Sequence, residues 1–113
     1  MKNRKTVFAI DEEEANLKYL KRILKKDYNV ITSDNSEIAL PIIKNIIPDI
    51  ILLDVNMQNL YGFELCKLLF SDNDTKNIPV IFISYLRNQN DIEKGFSLGA
   101  VDFIPKPINK TET

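Results

Sequence analysis

The chain is 113 residues long, the size of one domain, and its 44% apolar and 27% charged residues are ordinary for a globular protein. With 15 basic against 16 acidic residues the net charge is -1, so no broad basic field is available for nucleic acid or anionic lipid. There is no histidine and Cys66 is the only cysteine, which excludes an intramolecular disulfide and most transition-metal or imidazole chemistry. Any metal is expected to be a hard, oxygen-liganded one such as magnesium. The longest apolar runs fall far short of the roughly 20 residues that cross a bilayer, and residues 1–5 lack a signal peptide's apolar segment. A cytoplasmic protein without membrane contact is therefore expected.

Taken in order, Thr6–Ile10 is a short apolar run that reads as a strand and stops at Asp11-Glu12-Glu13-Glu14. Leu17, Leu20, Ile23 and Leu24 then fall at helical spacing. The acidic cluster at that helix's start and Lys25-Lys26 at its end both suit the helix macrodipole, at about 0.3 to 1 kcal/mol each. Residues 28–32 read as a second strand, and Ser33-Asp34-Asn35-Ser36 offers capping side chains for a helix bearing Ile38, Leu40, Ile43 and Ile46 or Ile47. Pro41 lies past the first turn of a helix that starts near Ser36. It is expected to kink that helix, at a cost of up to about 3 kcal/mol, or to force a later start.

The run Ile50-Ile51-Leu52-Leu53 has no polar alternation, the pattern of a strand covered on both faces in a parallel sheet. It ends on Asp54. Ligand crevices in open parallel sheets lie outside the carboxyl ends of the strands, so Asp54 is delivered to where such folds do chemistry. A loop follows, whose Gly62 permits a positive φ, and then a helix with Phe63, Cys66, Leu69 and Phe70 as its core stripe. Residues 79–84 form a fourth apolar strand. Residues 90–98 form a short helix stopped by Gly99 in a C′ position, and 101–104 a fifth strand running into Pro105-Lys106-Pro107. Five repeats of strand then helix, the last helix barely begun, predict a doubly wound parallel α/β sheet.

Singly, the polar residues along this chain have ordinary readings. Asp11 and Glu12 cap a helix, Asp54 forms a turn, Ser84 caps, and Lys106 is a solvated surface lysine. Jointly they differ, because Asp11, Asp54, Ser84 and Lys106 each fall at the C-terminal end of a different strand. Parallel strands sit about 4.8 Å apart, so these ends can surround a site a few side chains wide. Carboxylates at close quarters repel one another unless a cation such as magnesium joins them. Lys106 and Ser84 add a positive charge and a hydroxyl donor suited to phosphoryl oxygens. No G-x-x-x-x-G-K-S/T follows the first strand, which argues against a P-loop nucleotidase.

The motifs carrying these residues resemble the receiver domains of bacterial two-component response regulators. They are Asp11-Glu12, Ile50-Ile51-Leu52-Leu53-Asp54, Gly62-Phe63-Glu64, Pro79-Val80-Ile81-Phe82-Ile83-Ser84 and the segment from Gly99 to Pro107, so that the likeness covers nearly the whole chain. The resemblance implies a flavodoxin-like sheet of order 2-1-3-4-5. It also implies that Asp54 accepts a phosphoryl group from a sensor histidine kinase or phosphotransfer protein. Magnesium would be held by Asp11, Asp54 and the backbone carbonyl of Asn56, with Glu12 contacting it through water. Ser84 would be the switch hydroxyl, Lys106 the phosphate-binding lysine, and Phe103 the aromatic that changes rotamer; the Lys106-Pro107 bond would be cis. Such a domain is a phosphoacceptor that promotes its own phosphorylation and dephosphorylation, and no enzyme of the ordinary kind.

Some positions depart from the family's pattern. Gln58 stands where proline is usual and Tyr61 where a small polar residue precedes Gly62, which implies a less rigid loop after Asp54. Tyr85 stands where alanine is frequent, and its bulk is expected to shield an acyl phosphate from water. The family's full final helix is not represented in 108–113, so 1–113 is expected to be one receiver domain cut from a longer response regulator or hybrid protein. That would bare a face beside the first helix, and with it a route to a homodimer or an output-domain contact. Competing readings are a receiver-like interaction module that is never phosphorylated, a flavodoxin-like cofactor binder and a haloacid-dehalogenase-type phosphatase. Asp11-Glu12-Glu13-Glu14 would repel a cofactor phosphate, and position 13 lacks the second aspartate of that phosphatase class.

Overall fold

The computed structural model describes residues 4–54, 62–84 and 89–105. Five strands, β1 (Thr6–Ile10), β2 (Asn29–Ser33), β3 (Ile50–Asp54), β4 (Val80–Ser84) and β5 (Asp102–Pro105), pair in parallel in the order β2-β1-β3-β4-β5. Among the described residues four helices connect them: α1 (Glu14–Leu24), α2 (Ser36–Ile46), α3 (Gly62–Phe70) and α4 (Gln89–Leu98). This is the expected sheet order, and β3 stands at its centre.

Alternation along the strands divides the core into two layers. Phe8, Ile10, Ile51, Leu53, Val80 and Phe82 face one way and pack with side chains of α2 and α3, among them Ile43, Phe63, Cys66 and Leu69. Val7, Ala9, Leu52 and Ile83 face the other way and pack with Leu17 and Leu20 of α1. The unbroken apolar run of β3 is thus explained, since both of its faces are covered.

The helix ends follow local chemistry. Asn35 caps α2, its side-chain oxygen accepting from the Glu37 N–H at 2.8 Å. Pro41 neither delays the start nor ends the helix, which runs from Ser36 through to Ile46. The buried side of α2 is Ser36, Ala39 and Ile43, whereas Ile38, expected on the apolar stripe, is 54% exposed. The helix closes on Ile47 at φ 48, a left-handed conformation that β-branched residues rarely adopt. Gly62 opens α3, and among the described glycines the positive φ belongs to Gly99. There the Gly99 N–H reaches Phe96 O at 3.0 Å and the Ala100 N–H reaches Gly95 O at 3.1 Å, the C′ role expected of it. A side chain at Gly99 would also meet Phe70 Cε2 at 2.6 Å. The second and fifth strands each lie one residue later than the sequence pattern suggests.

Between α1 and the sheet runs an apolar groove of about 390 Å³, lined by Val7, Leu20, Leu24, Ile50, Leu52 and Ile104 among others. It lies beside the first helix, where a bared face is expected. The segment 106–113 falls outside the described residues.

Candidate functional site

Strand register builds the site. Ile10 of β1 pairs with Leu53 of β3, so Asp11 and Asp54 are the next residues on neighbouring strands. Asp54 in turn pairs with Ile83, and Ser84 with Pro105, so Ser84 lies one step beyond Asp54 along the adjacent strand. Asp11, Asp54 and Ser84 therefore reach the same edge of the sheet, as the sequence pattern requires. Asn56, Lys106 and the Lys106-Pro107 bond lie outside the described residues, as do Gln58, Tyr61 and Tyr85.

Both aspartates are withdrawn from water, Asp11 at 0% and Asp54 at 2% exposure, while Glu12 is half-buried. Asp11 is fixed from two sides. Its backbone N–H donates to Ser33 O at 3.1 Å, tying the end of β1 to β2. Its Oδ1 accepts from the Glu13 N–H at 2.8 Å and its Oδ2 from Asn16 Nδ2 at 3.2 Å. The same Asn16 amide donates to Glu13 Oε1 at 2.7 Å, so one residue in the first turn of α1 gathers two of the acidic side chains. Asn16 was not singled out from the sequence. The available signal was its place five residues after Asp11, which puts it on the first turn of the following helix.

Two buried carboxylates at the ends of adjacent strands would repel each other where both are charged, and a cation between them would relieve that cost. The donors are oxygen only, matching the preference of magnesium or calcium and not that of zinc. Among the described residues no three His, Cys, Asp or Glu side chains gather closely enough to hold a metal by themselves. Such an ion would need further oxygen donors, such as a backbone carbonyl, water or a phosphoryl group. Cys66 takes no part: it is buried in the α3 core and burial pushes its thiol from 9.0 up to about 12, so it is neither nucleophile nor ligand near neutrality.

The edge of the sheet leads through β4 and β5 into an aromatic cluster. Phe63 meets Phe82 edge-on at 5.1 Å, Phe82 lies 5.4 Å from Phe103, and Phe103 lies 5.0 Å from Phe96. Phe103, the expected mobile aromatic, is half-buried within it. No helix among the described residues is long and apolar enough to cross a membrane.

The profile of the response regulator receiver domain matches residues 7–113. The response regulator PleD of Caulobacter vibrioides is 38% identical over 104 residues, covering 91% of this chain and 23% of PleD. The transcriptional regulatory protein YvrH of Bacillus subtilis is 34% identical over 109 residues, covering 95% of this chain and 45% of YvrH. The chain thus spans less than half the length of these relatives. Among solved structures, the chemotaxis protein CheY4 of Vibrio cholerae superposes with a TM-score of 0.89 at 25% identity, covering 96% of this chain and 91% of that one. The phosphorylated cyanobacterial phytochrome response regulator RcpA gives 0.86 at 25% identity, covering 96% and 85%. With a parallel sheet of order β2-β1-β3-β4-β5 and a family match over nearly its whole length, the chain belongs to the response regulator receiver domains of two-component systems.

Proposed function

We propose that this chain is a phosphoacceptor switch, with Asp54 taking a phosphoryl group from a phosphohistidine on a sensor kinase or phosphotransfer protein. The observation that carries the reading is the juxtaposition of two buried carboxylates, Asp11 and Asp54, at the ends of adjacent strands. An Asp54 carboxylate oxygen forms the new O–P bond while the P–N bond to the imidazole breaks, and the phosphoryl group arrives at the open edge of the sheet. Asp11, Asp54 and the Asn56 carbonyl would hold magnesium, with Glu12 behind a water; when bound, the ion neutralises charge on the phosphoryl oxygens. Lys106 supplies a fixed positive charge there and Ser84 a hydroxyl donor.

The energetics suit a switch. An acyl phosphate brings about -1.5 to -2 of charge, and hydrogen bonds to charged groups contribute about 1.5 to 3 kcal/mol each. If Ser84 and Lys106 each make one such bond only in the phosphorylated arrangement, the bias is about 3 to 6 kcal/mol. About 5.5 kcal/mol carries a two-state equilibrium from 1:99 to 99:1, so two contacts nearly suffice. The readout in this proposal is the surface of α4, β5 and the loop after Ser84, acting on an output domain, a partner or a second copy in the cytoplasm. PleD and YvrH carry different names and each is more than twice the length of this chain, so no single output is assigned.

The test is intact-mass spectrometry after incubation with acetyl phosphate, with and without magnesium, beside Asp54→Asn. The expected result is a magnesium-dependent gain of one phosphoryl group that the variant lacks. A folded sample that gains nothing would instead support a receiver-like interaction module that works without phosphorylation.

A further inference from the structure

Among the described residues β2 pairs only with β1, so its far side is an edge of the sheet. Its backbone groups alternate between the two sides. The Asn29 N–H donates to Lys5 O at 2.9 Å and Ser33 O accepts from the Asp11 N–H at 3.1 Å, so residues 29, 31 and 33 address β1. The N–H and C=O groups of Val30 and Thr32 therefore point outward. Sheet edges are commonly blunted by charged residues, proline or bulges. The opposite edge, β5, carries Asp102 and Pro105, both exposed. β2 has none of these devices: it reads Asn29-Val30-Ile31-Thr32-Ser33 and keeps unbroken register with β1.

The edge opens into a groove of about 460 Å³, where Thr32 and Ser33 lie between α1 on one face of the sheet and α2 on the other. On the α2 wall Ile38 and Ile42 stand one turn apart, 54% and 36% exposed, and the packing of α2 on the sheet accounts for neither. On the α1 wall stand Lys18 and Lys21, and Arg22 and Lys25 continue the basic stripe along that helix. Glu14 and Asp34 make the Ser33 end of the groove acidic. Glu14 lies 3.9 Å from Lys18 with both side chains largely exposed, a weak tie that leaves the lysine available.

A strand laid along this edge turns alternate side chains to the two walls. One set meets Ile38 and Ile42 and the other meets Lys18 and Lys21, so the groove suits apolar residues alternating with carboxylates. We propose that the β2 edge and its two helical walls dock an extended acidic segment of a partner protein. The segment adds a further strand through the outward groups of Val30 and Thr32, setting apolar side chains on α2 and carboxylates on α1. A second copy of this chain fits less well, because antiparallel pairing of two β2 edges brings the basic α1 stripes of both copies together. The proposal does not depend on the phosphoacceptor reading.

The probe is a heptapeptide with blocked ends, threonine-valine-glutamate-valine-glutamate-valine-threonine, titrated into isotope-labelled protein and followed by NMR. Binding is expected to slow hydrogen exchange of the Val30 and Thr32 amides about tenfold and to leave the Ile31 amide, which faces β1, nearly unchanged. Lys18→Glu with Lys21→Glu, and separately Ile38→Ser, change exposed side chains and are expected to weaken binding about tenfold with the fold intact by circular dichroism. Methylated peptide nitrogens test strand pairing without altering the protein. Alternate amides of a strand point to opposite sides, so methylating either the glutamates or the valines, but not the other set, is expected to abolish binding. The same residues with the valines grouped together, or with lysines for glutamates, are expected not to bind. Binding that tolerates both methylated peptides, or that survives the Lys18 and Ile38 substitutions, overturns the proposal, as does a folded protein that binds no peptide. A chain that dimerises in sedimentation and loses the dimer on Ile38→Ser overturns it in favour of a second copy on the same edge.

Discussion

Asp11 illustrates how a receiver-type carboxylate is held before any ligand arrives. Its two oxygens accept from the Glu13 N–H and the Asn16 amide, so its orientation is set by the first turn of α1. Asp11 and Asp54 were legible in the sequence because each follows an apolar run whose end must lie at the sheet edge. Asn16 was not, since an amide reaching back across a helix start depends on packing between elements. Cys66 was legible as core, and its chemistry follows from burial. Because the raised thiol pKa leaves almost no thiolate in the folded state, native protein is expected to resist iodoacetamide at pH 8 while urea-unfolded protein is alkylated promptly. Rapid modification of the native form would show that Cys66 is not sealed in the α3 core.

At the scale of elements, strand and helix order could be read from periodicity, while individual faces and ends could not. Ile38 is apolar and correctly spaced, yet exposed, because α2 lays Ser36, Ala39 and Ile43 against the sheet. Pro41 sits in that helix on its exposed side, so tertiary packing overrides the local breaker signal. Pro41→Ala restores a backbone donor without removing buried surface, and is expected to raise stability by about 1 to 3 kcal/mol in urea unfolding. No gain would mean that α2 already makes good the lost bond. The end of α3 is tied to α2 by Lys44 and Asp72 at 3.0 Å. The Asp74 backbone N–H, first, and Lys44 with it hold the Asp72 carboxyl below its ordinary 3.8. A depressed carboxyl pKa in the folded state contributes stability above the unfolded pKa and loses it as the group is protonated. The parent should therefore exceed Asp72→Asn in stability at pH 7, and the gap should close as pH falls through and below 3.8. A gap that does not change with pH would contradict this.

For the molecule as a whole, the doubly wound parallel sheet followed from strand-helix repeats, and its strand order and family from the resemblance that several separated motifs carry; both stand in the fold and in the match over residues 7–113. The sheet brings the ends of β1, β3 and β4 to one edge, and β4 with β5 carries that edge to the aromatic cluster on α4. The central claim is that the carboxylate at the end of the central strand, and no other group, is the phosphoryl acceptor. Its most direct measurement is borohydride reduction of the chain after treatment with acetyl phosphate and magnesium, followed by tandem mass spectrometry of its peptides. An acyl phosphate is reduced to the alcohol, so homoserine is expected at position 54 and at no other aspartate. Homoserine at Asp11 or elsewhere, or none at all from folded protein, would contradict the account.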